Sequence, residues 1–278
     1  MKEKTSFEIL CATMNQKDFS LIQKMNVRSN VVFANQCEQT QYSELELNNG
    51  RYAKMISTNT VGVGINRNVA LMYSSADICL FSDDDVVYFD NAENIICEEF
   101  QKNKKADIII FHFNSDTKGR LLKKYRKTHR VGRFSKKPWA TFQIAFRRSE
   151  VIKRNILFTT LFGGGCKYPC GEDTQWIRSA IQNGLRIVVS NRTIGNVSFK
   201  ESTWFHGYNE EYYYGQGAAY ESHSKFTKYI WFAYIYLRTK NESSLSCKEI
   251  FAWMNNGAKG YKELLSFKEF CEKKWNWQ

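Results

Sequence analysis

Only two prolines, Pro138 and Pro169, occur among 278 residues, and no Gly/Ser-rich stretch or internal repeat interrupts the chain. A flexible linker between independent domains is thereby excluded, leaving one large core or two halves packed intimately. No apolar run reaches the roughly 20 residues that a membrane-spanning helix needs. The aromatic run within residues 225–238 falls short of that length and suits a core helix or, alternatively, a helix lying in a membrane interface, with core packing the expectation. Eight cysteines are present without the spacing of a disulfide framework. Cys11, Cys37, Cys79 and Cys97 fall in or beside apolar strand or helix patterns, as buried thiols of a reducing cytoplasm do. Cys166 and Cys170 flank Lys-Tyr-Pro with no histidine nearby, which argues against a zinc site. Met1-Lys-Glu-Lys-Thr leads directly into the strand-like Phe7-Glu-Ile-Leu-Cys, so no secretory leader and a cytoplasmic location are expected.

Charge is present in excess but not evenly. The formal net charge is +12, and residues 117–137 carry ten Lys/Arg and no acid, so the rest of the chain is close to neutral. A local excess of this kind suits an anionic membrane surface, a phosphorylated acceptor or nucleic acid, against the plain alternative of a solvated loop. Nucleic acid is not expected, because a single-strand binder interleaves aromatics with its cations and this segment offers only Tyr125 and Phe134.

The hydropathy pattern alternates strand and helix. Strands are expected at residues 7–12, 31–34, 54–57 (weakly), 78–81, 108–113, 140–146 and 185–189, and helices at 18–25, 66–75, 92–102 and 172–182. An α/β protein with a mainly parallel central sheet and helices on both faces follows from that alternation, with a helical, aromatic-rich C-terminal part.

Two acidic groups stand out. In Asp77-Ile-Cys-Leu-Phe-Ser-Asp-Asp-Asp-Val-Val87 an apolar strand runs straight into Asp83, Asp84 and Asp85, at the carboxyl end where open α/β sheets bind ligands. On an extended backbone Asp83 and Asp85 would share one site while Asp84 faces elsewhere. Two such carboxylates repel unless a cation sits between them, and hard oxygen ligands suit Mg²⁺ or Mn²⁺. The second group is Glu172-Asp173, delivered by the loop Gly163–Gly171 into the first turn of a helix. Trp176, Ile177 and Ala180 follow Asp173 on one helical face, so Asp173 begins an inward-facing stripe instead of merely capping the helix. A carboxylate kept ionised there is placed to act as a general base.

Asp83-Asp84-Asp85 after a strand, Gly62-Val-Gly-Ile-Asn-Arg-Asn68 opening the preceding helix, and Gly171-Glu-Asp-Thr-Gln-Trp176 further on resemble inverting family 2 glycosyltransferases. Asn35-Gln-Cys37 is similar to members found in bacterial capsule and exopolysaccharide clusters. The resemblance covers residues 7–220 and implies a GT-A fold, with residues 1–224 a catalytic domain (nucleotide-sugar half about 1–115, acceptor half about 138–224) and 225–278 a helical extension. It implies donor-binding roles for Thr13, Asn15, Asn35, Arg67, Asn68, Asp83 and Asp84, and metal ligation by Asp83, Asp85 and His206. It further implies Asp173 as the catalytic base and Gly171, Glu172 and Trp176 on the acceptor side. The partners the resemblance implies are a nucleotide-sugar donor, expected to be a UDP-sugar, and a saccharide acceptor, expected to be lipid-pyrophosphate-linked, with residues 117–137 on an anionic membrane. The Gln-Xaa-Xaa-Arg-Trp signature of processive synthases is absent, because Gly215-Gln-Gly-Ala-Ala lacks the Arg-Trp, so transfer of a single sugar is expected. A metal-dependent nucleotidyltransferase is the rival enzyme, but it needs a glycine-rich loop after the first strand and residues 12–20 contain no glycine.

Overall fold

The structure, a computed structural model, describes residues 5–115, 124–132, 139–198, 207–223 and 227–275. The chain forms two compact units. The first takes the described residues of Met1–Val61, Ile65–Phe158 and Trp176–Glu201, and the second those of Gly62–Gly64, Thr159–Gln175 and Ser202–Gln278.

The sequence of elements is β1 (Phe7–Met14), α1 (Leu21–Lys24), β2 (Asn30–Gln36), β3 (Gln41–Leu47), β4 (Arg51–Thr58), α2 (Val63–Tyr73), β5 (Ile78–Asp83), β6 (Val86–Tyr88), α3 (Ala92–Lys102), β7 (Ile108–Ser115), β8 (His129–Arg130), β9 (Ile144–Arg147), α4 (Arg148–Lys153), α5 (Glu172–Gln182), β10 (Ile187–Val197), α6 (Glu210–His223), α7 (Lys228–Thr239), α8 (Cys247–Lys262) and α9 (Phe267–Trp275). The strands form one sheet in the order β3-β4-β2-β1-β5-β9-β7-β10-β6, with β8 paired to β10. Strands β4, β2, β1 and β5 run parallel, as do β7 and β10. Strand β9 lies antiparallel between β5 and β7, and β3 is an antiparallel edge. This is the mainly parallel α/β sheet expected from the alternation.

The differences in detail have physical causes. Strand β3 was not anticipated because its burial pattern shows no inward face, so Gln41-Tyr-Ser-Glu-Leu-Glu-Leu47 lacks the apolar alternation of a half-buried strand. Helix α1 is one turn, Leu21–Lys24, instead of spanning 18–25, and its core contact comes chiefly from Leu21 and Met25. The expected strand at 140–146 begins as a 3₁₀ turn over Thr141–Gln143, where the Gln143 side chain accepts from the Ala140 amide at 3.1 Å. Only Ile144–Arg147 continues as β9.

The position of β5 beside β1 is secured by Glu8. Its buried carboxylate accepts from the backbone amides of Ser75 and Ala76 at 2.7 and 2.9 Å, pinning the connection between α2 and β5. The β1–β5 register then pairs Ala12 with Asp83, so the carboxyl ends of the two strands finish side by side. Asn35 on β2 is fully buried and clamps the loop after β1: its side chain accepts from Gln16 N at 2.9 Å and donates to Gln16 O at 2.9 Å and Ser57 Oγ at 3.0 Å. The start of that loop is thus fixed from the neighbouring strand.

The second unit contains α6 to α9. Phe232 and Ile235 of α7 are buried, as core packing of the aromatic run requires, whereas Ile230, Tyr234 and Leu237 on another face are 66%, 44% and 64% exposed. Helices α6 and α8 cross at glycine. A β-carbon on Gly217 would fall inside the Met254 carbonyl, and one on Gly257 inside the Tyr214 carbonyl, so each glycine lets the other helix's backbone approach. Gly217→Ala is therefore expected to destabilise this unit by about 3 kcal/mol or more, as overpacking against backbone does. An unchanged melting curve by circular dichroism would show that the crossing can yield.

Candidate active site

The first unit gathers its acids at the carboxyl end of β5. Asp83 ends the strand, Asp84 and Asp85 form a tight turn, and β6 begins at Val86. This corrects the expectation of an extended triad. Because the backbone turns, Asp84 does not face elsewhere: its carboxylate accepts from the Thr13 hydroxyl at 2.5 Å, and its charge acts on Asp85. Asp83 is ion-paired with Arg67 at 2.9 Å. Arg67 is buried, and its guanidinium lies 5.3 Å from the centre of the Phe158 ring. One buried cation is thus set against the three acids, with the charge of Lys24 also acting on Asp85.

Asp85 carries the imbalance. Burial first, then the charges of Asp83 and Asp84, push its carboxyl up to about 7. Its Oδ1 is buried without a hydrogen-bond partner. Nearby, burial and the same three acids raise the Cys11 thiol well above its ordinary value, which leaves it an inert core residue. Below the turn, Tyr88 donates to Ser82 Oγ at 2.7 Å, holding β6 against β5.

Helix α2 brings its first half to the same place. Asn66 was not singled out from the sequence, although it lies inside the Gly62–Asn68 motif. Its amide donates to Thr13 O at 3.1 Å, and its Oδ1 is buried with no hydrogen-bond partner. Asn68, expected on the donor, instead exchanges two hydrogen bonds with the backbone of Phe158, donating to its carbonyl at 2.9 Å and accepting from its amide at 2.8 Å. That side chain holds in place the ring on which Arg67 rests. Asn15 sits at φ +55° at the end of β1, where its amide donates to Gln36 O at 2.9 Å. Thr13, Asn15, Asn35, Arg67 and the three aspartates thus belong to one neighbourhood, with Asn35 shaping it from the interior.

Among the described residues no group of three His, Cys, Asp or Glu side chains is arranged to hold a metal ion. His206 lies outside the described residues. The chemistry of the donor set still fits Mg²⁺ or Mn²⁺: an orphaned carboxylate oxygen on Asp85, with the Asp83 carboxylate beside it, is what a hard cation completing its shell with water and phosphate oxygens takes.

The second unit holds the start of α5. Gly163 and Gly171 bound the preceding loop at φ +106° and +108°. A β-carbon at Gly163 would stand 2.7 Å from Val63 Cγ1 and 3.0 Å from Glu172 Cδ, and one at Gly171 2.9 Å from Ala219 Cβ. The loop closes on itself through Gly163 N to Tyr168 O at 2.9 Å and Tyr168 N to Leu161 O at 2.9 Å. Cys170 is partly buried beside it, its thiol accepting from Gln216 Nε2 at 3.3 Å and pushed up to about 12 by burial and Glu172. Asp173 is half-buried in the first turn, and Trp176, Ile177 and Ala180 continue from it as the buried stripe that the spacing indicated. Trp176 corrects one expectation. It is 1% exposed, stacked on Phe158 at 5.6 Å and edge-on to Phe81 at 5.4 Å, and serves the core instead of an acceptor.

Fold and acid cluster together define the class, a GT-A-type α/β architecture with its carboxylates at the end of the strand beside β1. Solved structures of one protein share it. The chain is similar to S. aureus TarS 1-349 in complex with UDP-GlcNAc, at 17% identity and a TM-score of 0.59, covering 95% of this chain and 77% of that one. Against TarS 1-349 in complex with UDP the identity is 15% and the TM-score 0.56, with 97% and 78% covered. Against TarS 1-349 alone the figures are 15% and 0.56, with 93% and 73% covered. These likenesses establish the fold. No protein-family model and no curated protein matches the sequence.

Proposed function

We propose that the chain is an inverting, metal-dependent glycosyltransferase of the hexosyl type, which moves a single sugar from a UDP-sugar to an acceptor hydroxyl in cell-surface polysaccharide biosynthesis. The observation that carries this reading is the buried, unpartnered oxygen of Asp85 under the charges of two further carboxylates, one of them clamped by Arg67. A hard cation and the diphosphate it brings would answer those charges. The likeness in fold to a protein solved with UDP-GlcNAc and with UDP supports the choice of donor class.

Asp83 and Asp85 would hold the metal, which when bound supplies positive charge toward the leaving diphosphate. Arg67, fixed on Asp83, adds a second positive charge to that site. Thr13 and Asn15 contribute the polar end of β1 for the nucleotide, with Asn66 an additional candidate because its buried oxygen awaits a donor. Asp173 acts as base: the acceptor hydroxyl gives its proton to the carboxylate as its oxygen bonds to the anomeric carbon, and the bond to the diphosphate breaks with its electron pair leaving on the nucleotide. Attack from the face opposite the leaving group inverts the anomeric centre. Glu172 and Gly171 border that base on the acceptor side, and a lipid-pyrophosphate-linked saccharide at a membrane surface is the proposed acceptor. Among the described residues no helix is long and apolar enough to cross a membrane.

A panel of nucleotide sugars with Mn²⁺ tests the reading through melting temperature. At one hundred times its Kd a ligand adds about 2.7 kcal/mol. One UDP-sugar is expected to raise the melting temperature with Mn²⁺ and to lose that effect with EDTA. No stabilisation by any nucleotide sugar would remove the proposal.

A further inference from the structure

The end of the sheet opposite Asp83 carries a basic cleft in the same unit. Lys102 at the end of α3, Lys104 and Lys105 from the turn after it, Arg130 on β8 and Arg186 ahead of β10 line a cavity of about 650 Å³, to which no carboxylate among the described residues contributes. That volume lies in the range of small-molecule sites. Backbone hydrogen bonds bring the three segments together. Arg130 pairs with Val188 across the β8–β10 ladder, and the Val131 amide donates to Ile187 O at 2.8 Å. The Arg186 carbonyl accepts from Asp107 N and Ile108 N at 2.9 and 3.1 Å, which holds the turn after α3 alongside.

The cations are not there to pair with protein acids. Lys102 approaches Glu98 and Glu99 at 3.6 and 3.5 Å. Lys104, Lys105, Arg130 and Arg186 have no acidic partner among the described residues, and Asp107, close by, accepts from the backbone amide of Arg186 at 2.8 Å. Four unpaired cations converging on one concavity repel each other until an anion enters. An occupant that answers all of them needs more than one negative charge and several acceptor oxygens, with a face for guanidinium forks. Phosphate groups have this chemistry. The cleft also receives Arg130 of the basic segment 117–137, whose described residues meet the sheet through β8.

We propose that this cleft is a second anion site, remote from the acidic cluster, which binds a phosphate-bearing ligand. The inference stands on the cleft alone and does not depend on the proposed transferase activity. The phosphate could belong to a soluble molecule or to a lipid headgroup. Both sources are tested with inorganic pyrophosphate by calorimetry and with flotation on phosphatidylglycerol and phosphatidylcholine vesicles. The proteins compared are the native chain, a cleft variant (Lys104→Gln, Lys105→Gln, Arg130→Gln, Arg186→Gln) and a control of equal charge loss at exposed positions elsewhere (Lys153→Gln, Lys240→Gln, Lys248→Gln, Lys259→Gln). All eight side chains are exposed, so folding is expected to survive, and a melting curve checks it. The cleft variant is expected to lose about tenfold or more in affinity for at least one phosphate source while the control keeps it. Loss confined to phosphatidylglycerol vesicles assigns the cleft to a headgroup, and loss confined to pyrophosphate assigns it to a soluble ligand. Equal behaviour of cleft variant and control on both probes overturns the proposal. Stabilisation by nucleotide sugar is expected to be unchanged in the cleft variant, so the two proposals fail separately.

Discussion

Asp85→Asn should be more stable than the native chain at pH 8 and no more stable near pH 4, while losing all Mn²⁺-dependent binding of a nucleotide sugar. The cause is a carboxyl whose ordinary value of 3.8 is pushed up to about 7 by burial and by Asp83 and Asp84. The folded state holds this proton more tightly than the unfolded chain does, so stability falls as pH rises from about 4 to about 7 and the full penalty persists above 7. At full weight the difference corresponds to roughly 4 kcal/mol. Asp85 is only partly buried, and solvent screening reduces the effect to about 2 kcal/mol, or roughly 5 °C for a chain of this size. A melting temperature at pH 8 identical to that of the native protein would show that the three acids are not in conflict. Gain of stability together with loss of binding is the signature of a residue retained for its ligand.

Asp173→Asn should leave donor affinity intact and lower turnover by about three orders of magnitude. Removing a general base costs typically ~10²–10⁴-fold, and the amide preserves the shape and polarity of the helix start. The comparison that gives the result its meaning is Glu172→Gln. Glu172 borders Asp173 and lies against the Gly163 backbone, where a β-carbon would meet its carboxyl carbon at 3.0 Å, and the proposal gives it no proton to take. Its amide variant is expected to stay within a few-fold of native turnover. Near-normal turnover in Asp173→Asn, or an equal loss in both variants, would reduce Asp173 to a charge at a helix terminus.

How far the chain could be read depended on whether one residue pattern answered to one environment. Helices α3 and α5 begin and end where the periodicity placed them, since each has a clear apolar stripe facing the sheet and polar residues elsewhere. The edge strand β3 was invisible for the opposite reason, with both of its faces wet. In the site, the acidic triad and Arg67 were legible because carboxylates after an apolar strand have few other uses. The turn that folds Asp84 back toward Thr13 was not, because three identical residues carry no signal of where the backbone leaves the extended form. Trp176 was assigned to the acceptor from its place in a motif, whereas its own position on the apolar stripe with Ile177 and Ala180 already pointed to the core. Asn68 shows a similar limit, as an amide that bonds a backbone ninety residues away cannot be told by sequence from one that bonds a ligand.

The route of the backbone between the two compact units has a consequence for dissection. The chain passes from one to the other five times, and α2 and α5 each begin in one unit and continue in the other. Neither unit is a contiguous stretch, so no single truncation liberates either as an autonomous fragment. A stop codon after residue 201 would leave the sheet attached to stray turns of its neighbour, and an expression fragment starting at residue 202 would lack the loop that the C-terminal helices pack against. Independent folding calls for its own continuous core and a boundary crossed by few contacts. Here each unit is assembled from stretches that the other interrupts, and neither can be cut out at a single point.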